Sequence, residues 1–193
     1  MIDWLDRLRA RGAVLEGHFR LTSGFHSPVY IQCAHLLHYP TEAAAAATSL
    51  VERLAPRLNA PPDLVVSPAI GGIVFGHEVA RAWGCRANWA ERDPTTGRLT
   101  FRRGFAIEPG ERVVAVEDVV TTAGSLREIV ALVANAGVQT VGVGAIVDRS
   151  GGEASWEVPW AALVTIDAPR HPPESCPQCA RGIPLDKPGS RPT

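Results

Sequence analysis

At 193 residues with 46% hydrophobic content, the chain is long enough to bury one good core and too short to add a second catalytic domain. Its net charge of −1 and lack of any Lys/Arg run argue against nucleic acid as a main partner. Lys187 is the only lysine, so wherever chemistry wants a mobile ammonium this chain must use a guanidinium or do without. No run of about 18 apolar residues is present, and the start, Met-Ile-Asp-Trp-Leu-Asp-Arg-Leu, is charged and helical rather than a signal peptide, which points to a cytoplasmic protein with no membrane role.

In chain order, residues 2 to 10 read as an amphipathic helix with Ile2, Leu5 and Leu8 on one face, ending near Gly12. Gly17 to Gln32 reads as two short extended segments around Ser23-Gly24-Phe25-His26, a hairpin; Ser27-Pro28 taken alone is an ordinary turn before an edge strand. The Ala-rich stretch Thr41 to Leu58 is a helix, and Asn59 to Pro62 a linker. Asp63 onward reads strand, tight turn, helix, with Gly71 and Gly72 allowing positive φ and close backbone approach at the turn. Arg86 to Ala90 is a strand, Glu91 to Gly97 a polar turn, and Arg98 to Phe105 a returning strand.

Val113 to Val116 is a β-branched run of the kind buried on both faces of a parallel sheet, and it stops at Glu117 and Asp118. From Leu126 apolar residues recur at 126, 129, 130 and 133, a helical spacing. Val138 to Val147 is a further strand ending in Asp148-Arg149, and Pro159 to Ile166 is the last, before a Pro-rich tail from about residue 168. Cys176-Pro-Gln-Cys179 has the spacing of half a zinc site, which Cys33 and Cys85 could complete only if folding gathered them. Otherwise it is a turn in the tail, and no side chain is assigned to a metal.

The chemistry concentrates between residues 112 and 125. A helix starting after Thr121-Thr122-Ala123-Gly124-Ser125 leaves unpaired backbone N–H groups beside three hydroxyls, which is a place for a phosphate. A dianion would repel two adjacent carboxylates, so Glu117 and Asp118 should face sugar hydroxyls, or hydroxyls shared with Mg²⁺; a ribose 5-phosphate suits both ends. The Walker pattern and the dinucleotide G-x-G-x-x-G are both absent. The plainer alternative is a βα turn whose acids and hydroxyls only cap the helix.

Hydrophobic residues, two acids, Val119-Val120, then Thr-Thr-Ala-Gly-Ser resemble the PRPP-binding signature of type I phosphoribosyltransferases. Leu-x-Ser-Gly-x-x-Ser-Pro, followed by an apolar residue and an aromatic, narrows the resemblance to orotate phosphoribosyltransferases. The resemblance implies an α/β fold with a central, mostly parallel sheet flanked by helices, in one domain with a hood from about 12–40 plus the C-terminal segment. It implies a Mg²⁺-dependent enzyme joining orotate to PRPP to give orotidine 5′-monophosphate and diphosphate in pyrimidine biosynthesis, acting as a homodimer.

By position, PRPP contacts then fall to Glu117, Asp118, Val119, Val120, Thr121, Thr122, Ala123, Gly124 and Ser125, with Gly71 and Gly72 at the diphosphate. Orotate contacts fall to Tyr30, Ile31, Thr121 and Arg149, whose planar fork suits a carboxylate or a pyrimidine carbonyl edge. The chain departs from the family in two places. Thr22 stands where a lysine is common, and the catalytic-loop region has neither Lys nor His between 86 and 111. Arg92, Arg98, Arg102 and Arg103 are the cations available there, Arg92 the best by position; a solvated hairpin tip is the alternative. Rival readings are a phosphoribosyltransferase for another base, and a regulator that binds PRPP without catalysis.

Overall fold

The computed structural model describes residues 2–21 and 23–188; Thr22 lies outside the described residues. The chain divides into two compact units, Met1–Leu36 with Asp167–Thr193, and Leu37–Ile166. Among the described residues no helix is long and apolar enough to cross a membrane.

The terminal unit opens with α1 (Trp4–Ala10), capped by the Asp3 carboxylate, which accepts from the Asp6 N–H at 3.1 Å. Its buried side chains are Trp4 and Leu8, an i, i+4 pair, and Ile2 is exposed; the expected face is thus shifted, because the helix begins only at Trp4. Strands β1 (Val14–Arg20) and β2 (His26–Ile31) form the expected antiparallel hairpin. The C-terminal segment joins this hairpin: Arg20 N–H donates to the Asp186 carbonyl and Asp186 N–H to that of His18, both at 2.8 Å, while His26 and His171 exchange two bonds of 2.9 Å. Its Cys-x-x-Cys spans the start of a one-turn helix over Pro177–Ala180.

A short helix, α2 (Ala34–Leu37), ends the first part of the terminal unit, and the central unit opens with α3 (Pro40–Leu54). Then come β3 (Leu64–Pro68), α4 (Gly72–Trp83), β4 (Arg86–Arg92), β5 (Leu99–Phe101), β6 (Arg112–Val120), α5 (Gly124–Asn135), β7 (Gln139–Asp148) and β8 (Trp160–Thr165). The sheet order is β5-β4-β3-β6-β7-β8, parallel except for β5. The returning strand is shorter than the sequence predicts, because Arg103 and Gly104 both adopt positive φ and end the pairing.

Alternation sorts the side chains of the central strands between two faces. Leu64, Val66, Val113, Ala115, Val143 and Ala145 pack in one buried cluster with Leu126, Ile129 and Val133 of α5. On the other face β7 has glycines: a Cβ at Gly144 would lie 2.6 Å from Leu50 Cδ2, and one at Gly142 3.1 Å from Leu58 Cδ2. Gly144 lets α3 lie close on the sheet and Gly142 makes room for Leu58 beyond it; a methyl at Gly144 would overpack the contact at a cost of about 1–3 kcal/mol. At the strand starts Arg112 grips Asp63 with two side-chain bonds of 2.7 and 2.8 Å and a backbone bond of 2.9 Å, holding the Asp63 carboxyl down at about 2. That clamp fixes β3 against β6, and with it the ends from which both glycine and acid motifs emerge.

Candidate active site

The strand order reverses between β3 and β6, since β3 continues to β4 on one side and β6 to β7 on the other. Such a switch point opens a crevice at the carboxyl ends of the strands. Both informative motifs leave the sheet there.

β6 does not stop at the acids. It runs to Val120, with Glu117, Val119 and Val120 in register with Ala145, Val147 and Asp148 of β7. The ladder to β7 carries the strand past the expected acidic turn, so both acids stand on a rigid element. Being neighbours on a strand, they project to opposite faces. Asp118 turns toward the turn after β3: a Cβ on Gly71 would lie 2.9 Å from both of its carboxylate oxygens. Glu117 turns toward the start of α5, where Ser125 hydrogen-bonds to it.

Burial, reinforced by the charge of Asp118, pushes the Glu117 carboxyl up to about 8, against the opposing effects of Ser125 and Arg92. Burial also raises Asp118, opposed by the N–H groups of Val119 and of Asp118 itself. Two half-buried acids held in this way are poised for a ligand that brings positive charge or hydroxyl donors.

The loop beyond them carries exposed Thr121 and Thr122, then buried Ala123 at φ 60°, and α5 begins at Gly124. A left-handed alanine is uncommon and costs of order 1 kcal/mol. Here it turns the chain from strand to helix between Val120 and Gly124, and no side chain of the Ala123 cap takes up a first-turn N–H.

After β3, the Ala69 N–H donates to the Ala90 carbonyl at 2.8 Å, the Ala69–Ile70 peptide is cis, and Ile70 stands 85% exposed. Gly71 has φ −57° and Gly72 is not in the left-handed region either, so the expected positive φ is corrected. What requires glycine is space: Gly71 against Asp118, and Gly72 against Pro68 Cδ at 3.1 Å and Ser67 Cβ at 3.2 Å.

Arg149 follows β7 directly, buried, with its N–H donating to the Val120 carbonyl at 2.9 Å. The Asp148 carboxylate accepts from the Ser150 N–H at 2.8 Å and the Ser150 hydroxyl from the Ala154 N–H at 3.0 Å, which pins the loop carrying Arg149. Arg92 ends β4 and donates to both oxygens of Glu128 on α5 at 2.8 Å, and to the Gly97 carbonyl. Arg103 pairs with Glu91 at 2.7 Å, and neither Arg98 nor Arg102 has a hydrogen-bonded carboxylate among the described residues. Glu128 was not anticipated from sequence, although it lies one turn from Ser125 on the same helix face. In the terminal unit, Tyr30 and Ile31 end β2: the Tyr30 ring is half-buried and packs on Phe19 at 5.8 Å, and the Ile31 side chain is buried.

Comparison with known proteins agrees with this geometry. Residues 35–173 match the phosphoribosyl transferase domain. An orotate phosphoribosyltransferase of Chlorobium phaeobacteroides is 45% identical over 187 residues, covering 97% of this chain and 94% of that protein. One from Thermus thermophilus is 46% identical over 186 residues, covering 96% of this chain and all of that protein. Among solved structures, the orotate phosphoribosyltransferase of Aeropyrum pernix superposes with a TM-score of 0.68 at 26% identity, covering 85% of this chain and 94% of that one.

Proposed function

The chain belongs to the phosphoribosyl transferase family and, within it, to the orotate phosphoribosyltransferases of pyrimidine biosynthesis, and from that premise we propose how its own residues carry the transfer of ribose 5-phosphate from PRPP to orotate. The N–H groups and hydroxyls of Thr121 to Ser125 hold the 5′-phosphate, since a helix start offers donors and a favourable dipole to a dianion. Gly71 and Gly72 present main-chain N–H groups to the diphosphate, with no side chain to keep it away.

Between these two anion sites stand Glu117 and Asp118, which accept from the ribose hydroxyls. As the bond to diphosphate lengthens, positive charge develops on the ribose ring, and two carboxylates fixed on a strand end stabilise it without having to reorganise. No covalent nucleophile is required. Among the described residues the donors here are oxygens, which suit Mg²⁺; an ion held beside Asp118 would supply positive charge to neutralise the departing diphosphate.

Arg149 supplies a planar fork to the carboxylate or a carbonyl edge of orotate, and Thr121 reaches the base from the phosphate loop; Tyr30 and Ile31 are the further orotate contacts that the family resemblance implies. Arg92 takes the part usually played by a loop lysine, its charge already lowering the Glu117 carboxyl. The enzyme works as a homodimer in the cytoplasm; a fully active monomer in sedimentation would contradict the first point.

The reading rests above all on one observation: the Asp118 carboxylate lies against Gly71 at the switch point, with Arg149 anchored to the end of the same strand. A phosphoribosyltransferase for a neutral base would not need Arg149. The test is ultraviolet loss of orotate with PRPP, with Mg²⁺ present or chelated, alongside adenine and uracil. Metal-dependent turnover of orotate alone is expected. Turnover of adenine or uracil would point to another base, and tight PRPP binding without turnover to a regulator.

A further inference from the structure

Four side chains that the strand-end chemistry does not use converge within the terminal unit. His18 lies on β1, His26 opens β2, and Cys176 and Cys179 bracket the start of the last helix, α6 (Pro177–Ala180). His18 Nε2, His26 Nδ1 and the two Sγ atoms all lie within 4.8 Å of one another. His18 Nε2 is 3.2 Å from His26 Nδ1, 3.4 Å from Cys176 Sγ and 3.7 Å from Cys179 Sγ, and His26 Nδ1 is 3.3 Å from Cys179 Sγ. A tetrahedral zinc with bonds of about 2.0 Å to nitrogen and about 2.3 Å to sulfur spaces its ligand atoms about 3.3 to 3.8 Å apart. Four of the six edges of the cluster, at 3.2 to 3.7 Å, therefore already lie close to those of such a centre, and the other two are within 4.8 Å.

The surroundings point the same way. His18 Nδ1 lies 2.8 Å from the Ile183 carbonyl, so that nitrogen carries the proton and Nε2 turns its lone pair to the cluster. Orientation of a ligand imidazole through its other nitrogen is the usual support for a zinc histidine. His18, His26 and Cys176 are 3%, 5% and 3% exposed, so water does little for their polar atoms. Thiols are weak donors and leave a buried lone pair poorly satisfied. The ligands are held before any ion arrives: Gln178 Nε2 donates to the Gly17 carbonyl at 2.7 Å, and backbone bonds tie Asp186 to His18 and His171 to His26.

We propose that His18, His26, Cys176 and Cys179 bind one structural zinc ion, clipping the C-terminal segment to the β1–β2 hairpin. Four protein ligands close the coordination sphere, which marks a structural rather than a catalytic metal. Nitrogen and sulfur donors select zinc over the hard Mg²⁺ suited to the acids of β6. The clip joins residues 153 positions apart in a unit of about 60 residues, a size at which a hydrophobic core alone is marginal. Cys33 and Cys85, the partners the sequence offered for the Cys-x-x-Cys, take no part.

The test uses the full chain, purified reduced and without chelators, with metal counted by mass spectrometry and zinc exchanged for Co²⁺. Expected are about one zinc per chain and the thiolate charge-transfer and d–d bands of tetrahedral cobalt, falling to about a tenth or less in Cys179→Ser, whose exposed position spares the fold. Chelation should lower the melting temperature, with recovery on adding Zn²⁺ and none with Mg²⁺. A folded chain that takes up neither zinc nor cobalt at a few-fold excess would overturn the proposal. So would unchanged zinc in both Cys179→Ser and Cys176→Ser, or a Cys176–Cys179 disulfide in the reduced preparation.

Discussion

The acids at the end of β6 and the His/Cys cluster of the terminal unit both gather titratable side chains, and they set opposite problems. Glu117 and Asp118 are hard, like-charged groups whose burial and proximity push Glu117 up to about 8. In the proposed function they are completed by a ligand that comes and goes with each turnover. The two histidines and two cysteines are soft donors with one imidazole already fixed by Ile183, and an ion completes them once, on folding. A site that must release its partner is built half-open at a strand end; one that must keep it is closed by four side chains.

The transient site is where substitution should cost most. Asp118→Asn keeps the shape beside Gly71 but removes the charge, and should lower kcat by about 10²–10³, the scale for losing one preorganised electrostatic contact; initial rates with saturating orotate and PRPP measure it. Arg149→Ala should raise the KM for orotate by about 10²-fold with little change for PRPP, and Arg149→Lys should not restore it, because an ammonium cannot make paired bonds. Gly71→Ala places a methyl 2.9 Å from both Asp118 oxygens and should weaken PRPP by about tenfold or more in its KM, with orotate less affected. The smallest effect on stability should come from Arg92→Ala. Its pair with Glu128 is 48% and 37% exposed, so unfolding should shift by at most about 1 kcal/mol, while a larger fall in kcat would identify Arg92 as the loop cation.

How much of each region could be read from sequence follows from how it is assembled. The β6 motif is contiguous, so strand, acids, hydroxyl loop and helix were legible in one run of residues. That the strand continues through Glu117 and Asp118 was not, because its last pairs are with Ala145, Val147 and Asp148 on β7. The glycines after β3 were found, for a positive φ and for close approach to a diphosphate; their closeness to Asp118 and Pro68 depends on packing that only the fold creates. Arg92 was legible as a cation and its carboxylate on α5 was not. The His/Cys cluster lies at the far end of this scale. Cys176 and Cys179 announced themselves by spacing, whereas His18 and His26 sit in a hairpin at the other end of the chain with nothing local to mark them.

The most direct test of the central claim, that the β6 acids are buried for the sake of ligand charge and not of the fold, is Glu117→Gln followed by melting temperature and turnover from pH 5 to 9. Folded Glu117 titrates near about 8 against an ordinary value of 4.5. In that window the folded state keeps a proton the unfolded chain has lost, so this group's contribution to stability falls as pH rises. The glutamine variant lacks that loss, and its melting temperature should gain on the wild type by a growing margin up to about pH 8. Its turnover should stay low throughout, while wild-type kcat/KM for PRPP rises as Glu117 ionises. Wild-type turnover in the variant, or a melting temperature lower than wild type at every pH, would contradict the account and make Glu117 a structural cap of α5.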